Sequence, residues 1–216
     1  MIERSNISEA RITLLESSMD GFLFANGFSR REKSHVYIRS KDGAKQKIDL
    51  TMQLSPSYEN GALAHVIPYY SILFKDVDKV FKDMVQGMFE YSIVVASKDS
   101  FTIHQQIQVG YKAEHEYWFI KSDTNILDLG AKIRTFIENH TLPFLNDYMS
   151  VEDLISGYEH QDKRVIMIDY YHVQIASAYV VVGNYEKGMA VLEKRFGNKG
   201  KRDKYKTAFD YINRML

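Results

Sequence analysis

The chain is 216 residues long and 45% hydrophobic, with 28 basic residues against 28 acidic ones and no cysteine. That composition can bury a sizeable core in one large domain, or in a domain with a smaller appendage, and it argues against extensive disorder. Zero net charge argues against a dedicated nucleic-acid binder, and the missing cysteine excludes disulfides, thiolate metal sites and a thiol nucleophile.

The lack of cysteine fits a reducing compartment. Met1-Ile2-Glu3-Arg4-Ser5 opens no apolar signal core, and no apolar run approaches the ~20 residues that span a bilayer. The reading is a cytoplasmic protein with no membrane segment.

The first predicted element is a helix. Asn6 and Glu9 have capping-pair spacing, and Ile7, Ala10, Leu14, Leu15 and Phe22 form an apolar stripe. Gly21 marks a weak point within it, and Gly27 suits a left-handed terminus. A hairpin follows. His35–Arg39 alternates, Asp42-Gly43 has turn chemistry, and Lys47–Leu54 puts Ile48, Leu50, Met52 and Leu54 on one face. After a turn at Pro56 and Asn60-Gly61, residues 62–74 read as a third strand. Pro68 within it predicts an edge position or a bulge.

Asp76–Gln86 reads as a short helix. Phe89–Ala96, Phe101–Val109 and His115–Lys121 read as three further strands, making six in an antiparallel or mixed sheet. From Asn125 the pattern turns helical. Pro143 is placed near the first turn of a restarted helix, and Ser150 with Asp153 caps another. Helices are predicted over 164–182, 185–196 and 203–215, with a flexible loop at Gly197–Gly200.

The predicted fold class is α+β: an N-terminal helix and a mostly antiparallel sheet over residues 1–122, followed by a helical subdomain over 123–216 packed on it. Within the helical part, Ala176, Tyr179, Gly183-Asn184-Tyr185-Glu186-Lys187, Gly188 and Leu192 resemble one tetratricopeptide-type helix hairpin. A single copy is not a solenoid, and an ordinary helical hairpin fits the same residues.

A second resemblance lies near the N-terminus. Phe24-Ala25-Asn26-Gly27-Phe28-Ser29-Arg30-Arg31, the Tyr37 strand and Ile48–Ser55 resemble an uncharacterised bacterial domain family, some of whose members are thought to be immunity proteins beside polymorphic toxins. The similarity covers about the first 75 residues and is looser around Leu142-Pro143 and Ser150. It implies a cytoplasmic protein partner. The family has no agreed catalytic residues, so none is carried over.

Candidate chemistry is sparse. Glu114-His115-Glu116-Tyr117-Trp118 is the densest polar run. On a strand it sets Glu114, Glu116 and Trp118 on one face, with His115 and Tyr117 on the other. Paired carboxylates can work as acid and base, so His104, Glu114 and Glu116 are the candidate catalytic set. No nucleophile or oxyanion group accompanies them, and a solvated face fits as well.

The seven histidines have no zincin-type spacing, so no metal or other cofactor is expected. Nucleotide-binding glycine loops and a Gly-x-Ser-x-Gly elbow are missing from the sequence. The 15 tyrosines suit protein interfaces, which singles out Tyr69, Tyr117, Trp118, Tyr179 and Tyr185 as binding candidates. Lys199, Lys201 and Arg202 belong to a basic run from Lys194 to Lys206 that fits phosphate, an acidic protein surface or a solvated loop.

Three functions are consistent with these residues. The first is a non-catalytic cytoplasmic binding protein, an immunity-type partner of a toxin. The second is a metal-assisted hydrolase or nuclease-like enzyme around His104, Glu114 and Glu116. The third is a peptide-binding adaptor using the C-terminal hairpin.

Overall fold

The computed structural model describes residues 2–97, 100–111 and 117–216. Helix α1 (Ile7–Leu14) passes through a π-type turn at Leu15–Asp20 into α2 (Gly21–Ala25). Gly21 lies within helical backbone, so the weak point is bridged. Asn6 makes no side-chain cap bond. It sits in a short 3-10 turn with φ −100° and ψ 5°, which is not the extended geometry a cap needs.

Strands β1 (Val36–Lys41) and β2 (Ala44–Leu54) form the predicted hairpin. Asp42 and Gly43 both take positive φ, 50° and 97°, which matches the twist of a two-residue connection. Burial alternates along β2 as far as Leu50. Beyond it the strand emerges, and Leu54 is 61% exposed.

Strand β3 (Ala64–Phe74) follows, then helix α3 (Lys75–Met84). Phe89–Ala96, expected to be a strand, is a 3-10 turn at Phe89–Tyr91 leading into helix α4 (Ser92–Ala96). Its apolar residues do not alternate in burial. Phe89 and Ile93 face solvent, while Tyr91 turns inward and pairs its hydroxyl with that of Tyr205 at 3.1 Å. Strands β4 (Ile103–Gln106) and β5 (Trp118–Ile120) complete a sheet of five strands among the described residues. The expected sixth strand is therefore a helix.

The strands are hydrogen-bonded in the order β1-β2-β3-β4, and β5 pairs antiparallel with the start of β3. Strand β3 is thus central, although Pro68 predicted an edge. A strand residue's N–H and C=O point to the same side. Pro68 O accepts from Ile107 N at 3.0 Å, just past the end of β4, and β5 pairs only with Ala64–Val66. The missing proline N–H therefore faces the gap between two short strands and interrupts neither ladder.

The rest is helical. Asn125 caps α5 (Ile126–Phe136), accepting from the backbone N–H groups of Leu127 and Asp128. Pro143 lies in the first turn of the next helix, as expected. A π-type turn at Ile137–Thr141 runs directly into α6 (Leu142–Asp147), with Pro143 second in α6. Ser150 and Asp153 close the expected capping box on α7 (Val151–Glu159). Helices α8 (Asp169–Val181) and α9 (Tyr185–Phe196) form the hairpin, and Asn184 caps the second. A Cβ on Gly188 would lie 3.2 Å from Ala176 O, so the two helices touch through small residues as predicted. Gly197–Gly200 is not a free loop. Asn198 accepts from Lys201 N and starts α10 (Lys199–Lys204), which precedes α11 (Lys206–Asn213).

The fold is α+β, as the sequence predicts. The chain groups into two compact units: Met1–Ser40, Gln46–Ser71 and Gln105–Asn146 in one; Lys41–Lys45, Ile72–His104 and Asp147–Leu216 in the other. Among the described residues, no helix is long and apolar enough to cross a membrane.

Candidate functional site

Alternation along β3 sorts its early residues into two rows. Ala64, Val66 and Tyr70 are buried completely, while Ile67 and Tyr69 on the opposite side stay partly exposed. On β5 the same period turns Trp118 and Ile120 inward and leaves Phe119 half-buried. Trp118, a binding candidate from sequence, is a core residue. It is 2% exposed and meets Phe136 edge-on, with ring centroids 5.5 Å apart.

The outer row gathers aromatic rings. Antiparallel register sets His65 opposite Phe119, with centroids 4.4 Å apart. Tyr117 stacks on Phe119 at 5.7 Å and 20°. Tyr58, from the β2–β3 connection, lies 5.9 Å from His65 and 6.2 Å from Phe119. Tyr58 and Tyr117 are each 58% exposed. Tyr69 is on the same side of β3, two alternations beyond His65, and its hydroxyl accepts from Gln106 Nε2 at 3.1 Å. Tyr69 on β3 and Tyr117 just before β5, both chosen from sequence, therefore share one sheet face. Sequence reasoning missed His65, Phe119 and Tyr58, because nothing local reveals which residues face each other across β3 and β5.

His65 orders this face. Tyr58 Oη donates to Gln53 Oε1 at 2.9 Å and lies 2.8 Å from His65 Nδ1. A phenol has one proton, so the consistent chain runs from His65 Nδ1–H to Tyr58 Oη and on to Gln53. That leaves His65 Nε2 as a buried lone pair with no partner among the described residues. Protonating it would place an unsatisfied N–H in the interior, and burial holds the His65 pKa below its ordinary value. A histidine with a depressed folded-state pKa contributes stability above its unfolded pKa, about 6.5, and loses it as pH falls below that value. The chemical-denaturation midpoint is therefore expected to drop between pH 7.5 and 5.5. A His65→Phe variant should lose less over the same interval, and an identical fall in both proteins would refute the assignment.

The other sequence candidates are not brought together. His104 is exposed on β4 and stacks with Phe101 at 6.0 Å. Glu114 and Glu116 lie outside the described residues, so their relation to His104 is not given by the structure. Among the described residues, no three histidine, aspartate or glutamate side chains converge as a metal-ligand set.

Tyr179 is buried within the helical unit, with its hydroxyl on Glu159 Oε1 at 2.7 Å and the Lys187 ammonium over its ring. Tyr185 is half-buried in the first turn of α9. The basic run is largely ion-paired. Lys201 lies 3.7 Å from Asp169, Lys204 lies 2.8 Å from Glu90, and Arg202 pairs with Glu193. Lys199 is exposed at the start of α10. Paired in this way, the run presents far less positive charge than its sequence suggests.

The helical unit also carries a cleft walled by aromatic, aliphatic and charged side chains. It has a volume of about 490 Å³ and is lined by Tyr158, Lys163, Val165, Met167, His172 and Lys194 together with neighbouring polar groups. The Tyr158 hydroxyl and His172 Nδ1 lie 3.3 Å apart on its wall.

No family model matches the chain, and neither a curated protein nor a solved structure is significantly similar to it.

Proposed function

We propose that the chain is a non-catalytic binding protein whose partner is another protein, held on the outer sheet face around Tyr58, His65, Tyr117 and Phe119. One observation carries this reading: two tyrosines, each more than half exposed, stand against a histidine–phenylalanine pair set in register on the sheet. Tyrosine presents apolar area and a hydroxyl with few rotatable bonds, so little entropy is lost when a partner covers it. Contiguous exposed aromatic area on a folded domain marks an interaction surface. Beside this face, Lys121 pairs with Glu59, the neighbour of Tyr58. A matched pair at the rim suits a partner read by shape and apolar contact rather than a polyanion.

The resemblance of the N-terminal region to an uncharacterised domain family, some of whose members are thought to be immunity proteins, supports a narrower form, in which the partner is a toxin and binding occurs in the cytoplasm. A photo-cross-linking amino acid placed at Tyr117, and separately at Tyr211 as a control, tests the surface in the native host. The expected result is one defined adduct at position 117 that weakens when Tyr58 is replaced by alanine. Equal adduct patterns at both positions would remove the surface from consideration. Co-expression with the product of the adjacent gene tests the narrower form. Relief of its toxicity, lost in a Tyr58→Ala/Tyr117→Ala variant, is the expected outcome, and a non-toxic neighbour would exclude the immunity role while leaving the binding surface intact.

A further inference from the structure

The cleft of the helical unit is built differently from the sheet face. Its floor and walls combine the buried Val165, the half-buried Met167 and the rings of Tyr158 and His172. Its charged lining sorts into groups already paired and groups that are not. Glu159 takes the Lys187 ammonium at 2.7 Å and the Tyr179 hydroxyl. Asp162 takes Arg164 at 2.7 Å and the Tyr148 hydroxyl at 2.9 Å. Arg195 is held by Asp169 at 2.7 Å. Lys163 and Lys194 have no hydrogen-bond or ion-pair partner among the described residues. The unmatched charge of the cleft is therefore positive, beside aromatic and aliphatic surface.

We propose that this cleft binds a small organic anion with a planar ring, its carboxylate or phosphate group drawn to Lys163 and Lys194 and its ring lying on Tyr158, His172, Val165 and Met167. The volume suits such a molecule, since small-ligand sites run from about 300 to 1,000 Å³. The apolar lining supplies contact area, and the two lysines supply orientation. His172 reports independently on the local field. Burial comes first among the causes that hold its pKa below the ordinary value, and the charges of Arg195, Lys194 and Lys201 add to it, with Asp169 opposing. An anion seated beside the ring opposes those cations, so its charge acts to raise the His172 pKa.

That linkage gives the test. The imidazole resonances of the seven histidines are followed by NMR across pH, in the full chain, with phenyl phosphate, inorganic phosphate or phenol added as separate probes. Phenyl phosphate is expected to saturate, to raise the His172 pKa, and to leave His35 and His104 unmoved. It should bind at least about fivefold tighter than inorganic phosphate, because burying one ring face contributes more than a kcal/mol. Lys163→Gln/Lys194→Gln replaces two exposed side chains and should fold normally while weakening phenyl phosphate about tenfold. Three results would each overturn the proposal: no change at His172, equal binding of inorganic and phenyl phosphate, or unchanged affinity in the double variant. Phenol binding as tightly as phenyl phosphate would equally overturn it, because the lysines would then contribute nothing.

Discussion

Replacing Arg39 by alanine is expected to cost the fold about 3 kcal/mol or more, among the largest losses available to a single substitution. Arg39 on β1 is only 8% exposed. Its Nε donates to Gln46 Oε1 at 2.7 Å, and its terminal nitrogens reach Asn26 O at 3.2 Å and Asn146 Oδ1 at 2.7 Å. The guanidinium also lies over the Phe28 ring, 4.7 Å from its centroid. Those three acceptors are uncharged, so the cation is solvated by amide dipoles. Burial accordingly pulls its pKa below the ordinary guanidinium value.

Truncation strands those acceptors, each at a cost of about 1–3 kcal/mol when no water replaces the donor, and opens a cavity beside Phe28. Gln46 is fully buried and itself donates to Leu145 O, so the loss spreads to a backbone carbonyl. Arg39→Lys should fail to rescue, because an ammonium cannot present the guanidinium's planar fork to acceptors on separate elements. Arg39→Met combined with Gln46→Leu removes donor and acceptor together and should cost less than the sum of the single changes. Urea denaturation of the wild type, Arg39→Ala, Arg39→Lys, Arg39→Met, Gln46→Leu and the Arg39→Met/Gln46→Leu pair measures this, and an Arg39→Ala loss under about 1 kcal/mol would show that the acceptors find water instead.

Where the determinants are local, the structure was legible from sequence. Asp42-Gly43, the alternation from Ile48 to Leu50, the Ser150–Asp153 box and the bounds of α9 each depend on residues within a few positions of one another. Phe89–Ala96 failed for a different reason. Its β-branched run has the composition of a strand, but Phe89 is 89% exposed and Ile93 84% exposed, so burial imposes no strand period there. Pro68 failed because the edge rule assumes one continuous neighbour, whereas β4 and β5 share that side of β3 and leave the proline between them.

The candidate site was half legible. Alternation alone separates Tyr117 from Trp118, but only register reveals that His65 lies against Phe119. The helical cleft was hidden more deeply. Within the basic run, Lys194 looks no different from Lys204, and only the partners of each distinguish an unmatched cation from a neutralised one.

Gly157→Ala carries the second large effect, and its sign runs against intuition. In the interior of a helix, alanine is ordinarily better than glycine by about 1 kcal/mol. Here a Cβ would fall 2.3 Å from the Tyr148 hydroxyl, 2.8 Å from its Cζ and 3.0 Å from its Cε1. The ring is 1% exposed and held by a hydrogen bond from its hydroxyl to Asp162 Oδ2, so it cannot yield by a rotamer change alone. Expelling it uncovers the ring and breaks the link to the Asp162–Arg164 pair. The net loss should be about 2–4 kcal/mol after the helix-propensity gain. Tyr148→Ala alone should cost about 3–5 kcal/mol. In that background the same Gly157→Ala change meets no ring, and it should become neutral or stabilising. This reversal of sign between backgrounds, read from denaturation midpoints, separates steric exclusion by Tyr148 from any intrinsic need for glycine in α7. If Gly157→Ala destabilises both backgrounds equally, the ring is not the cause.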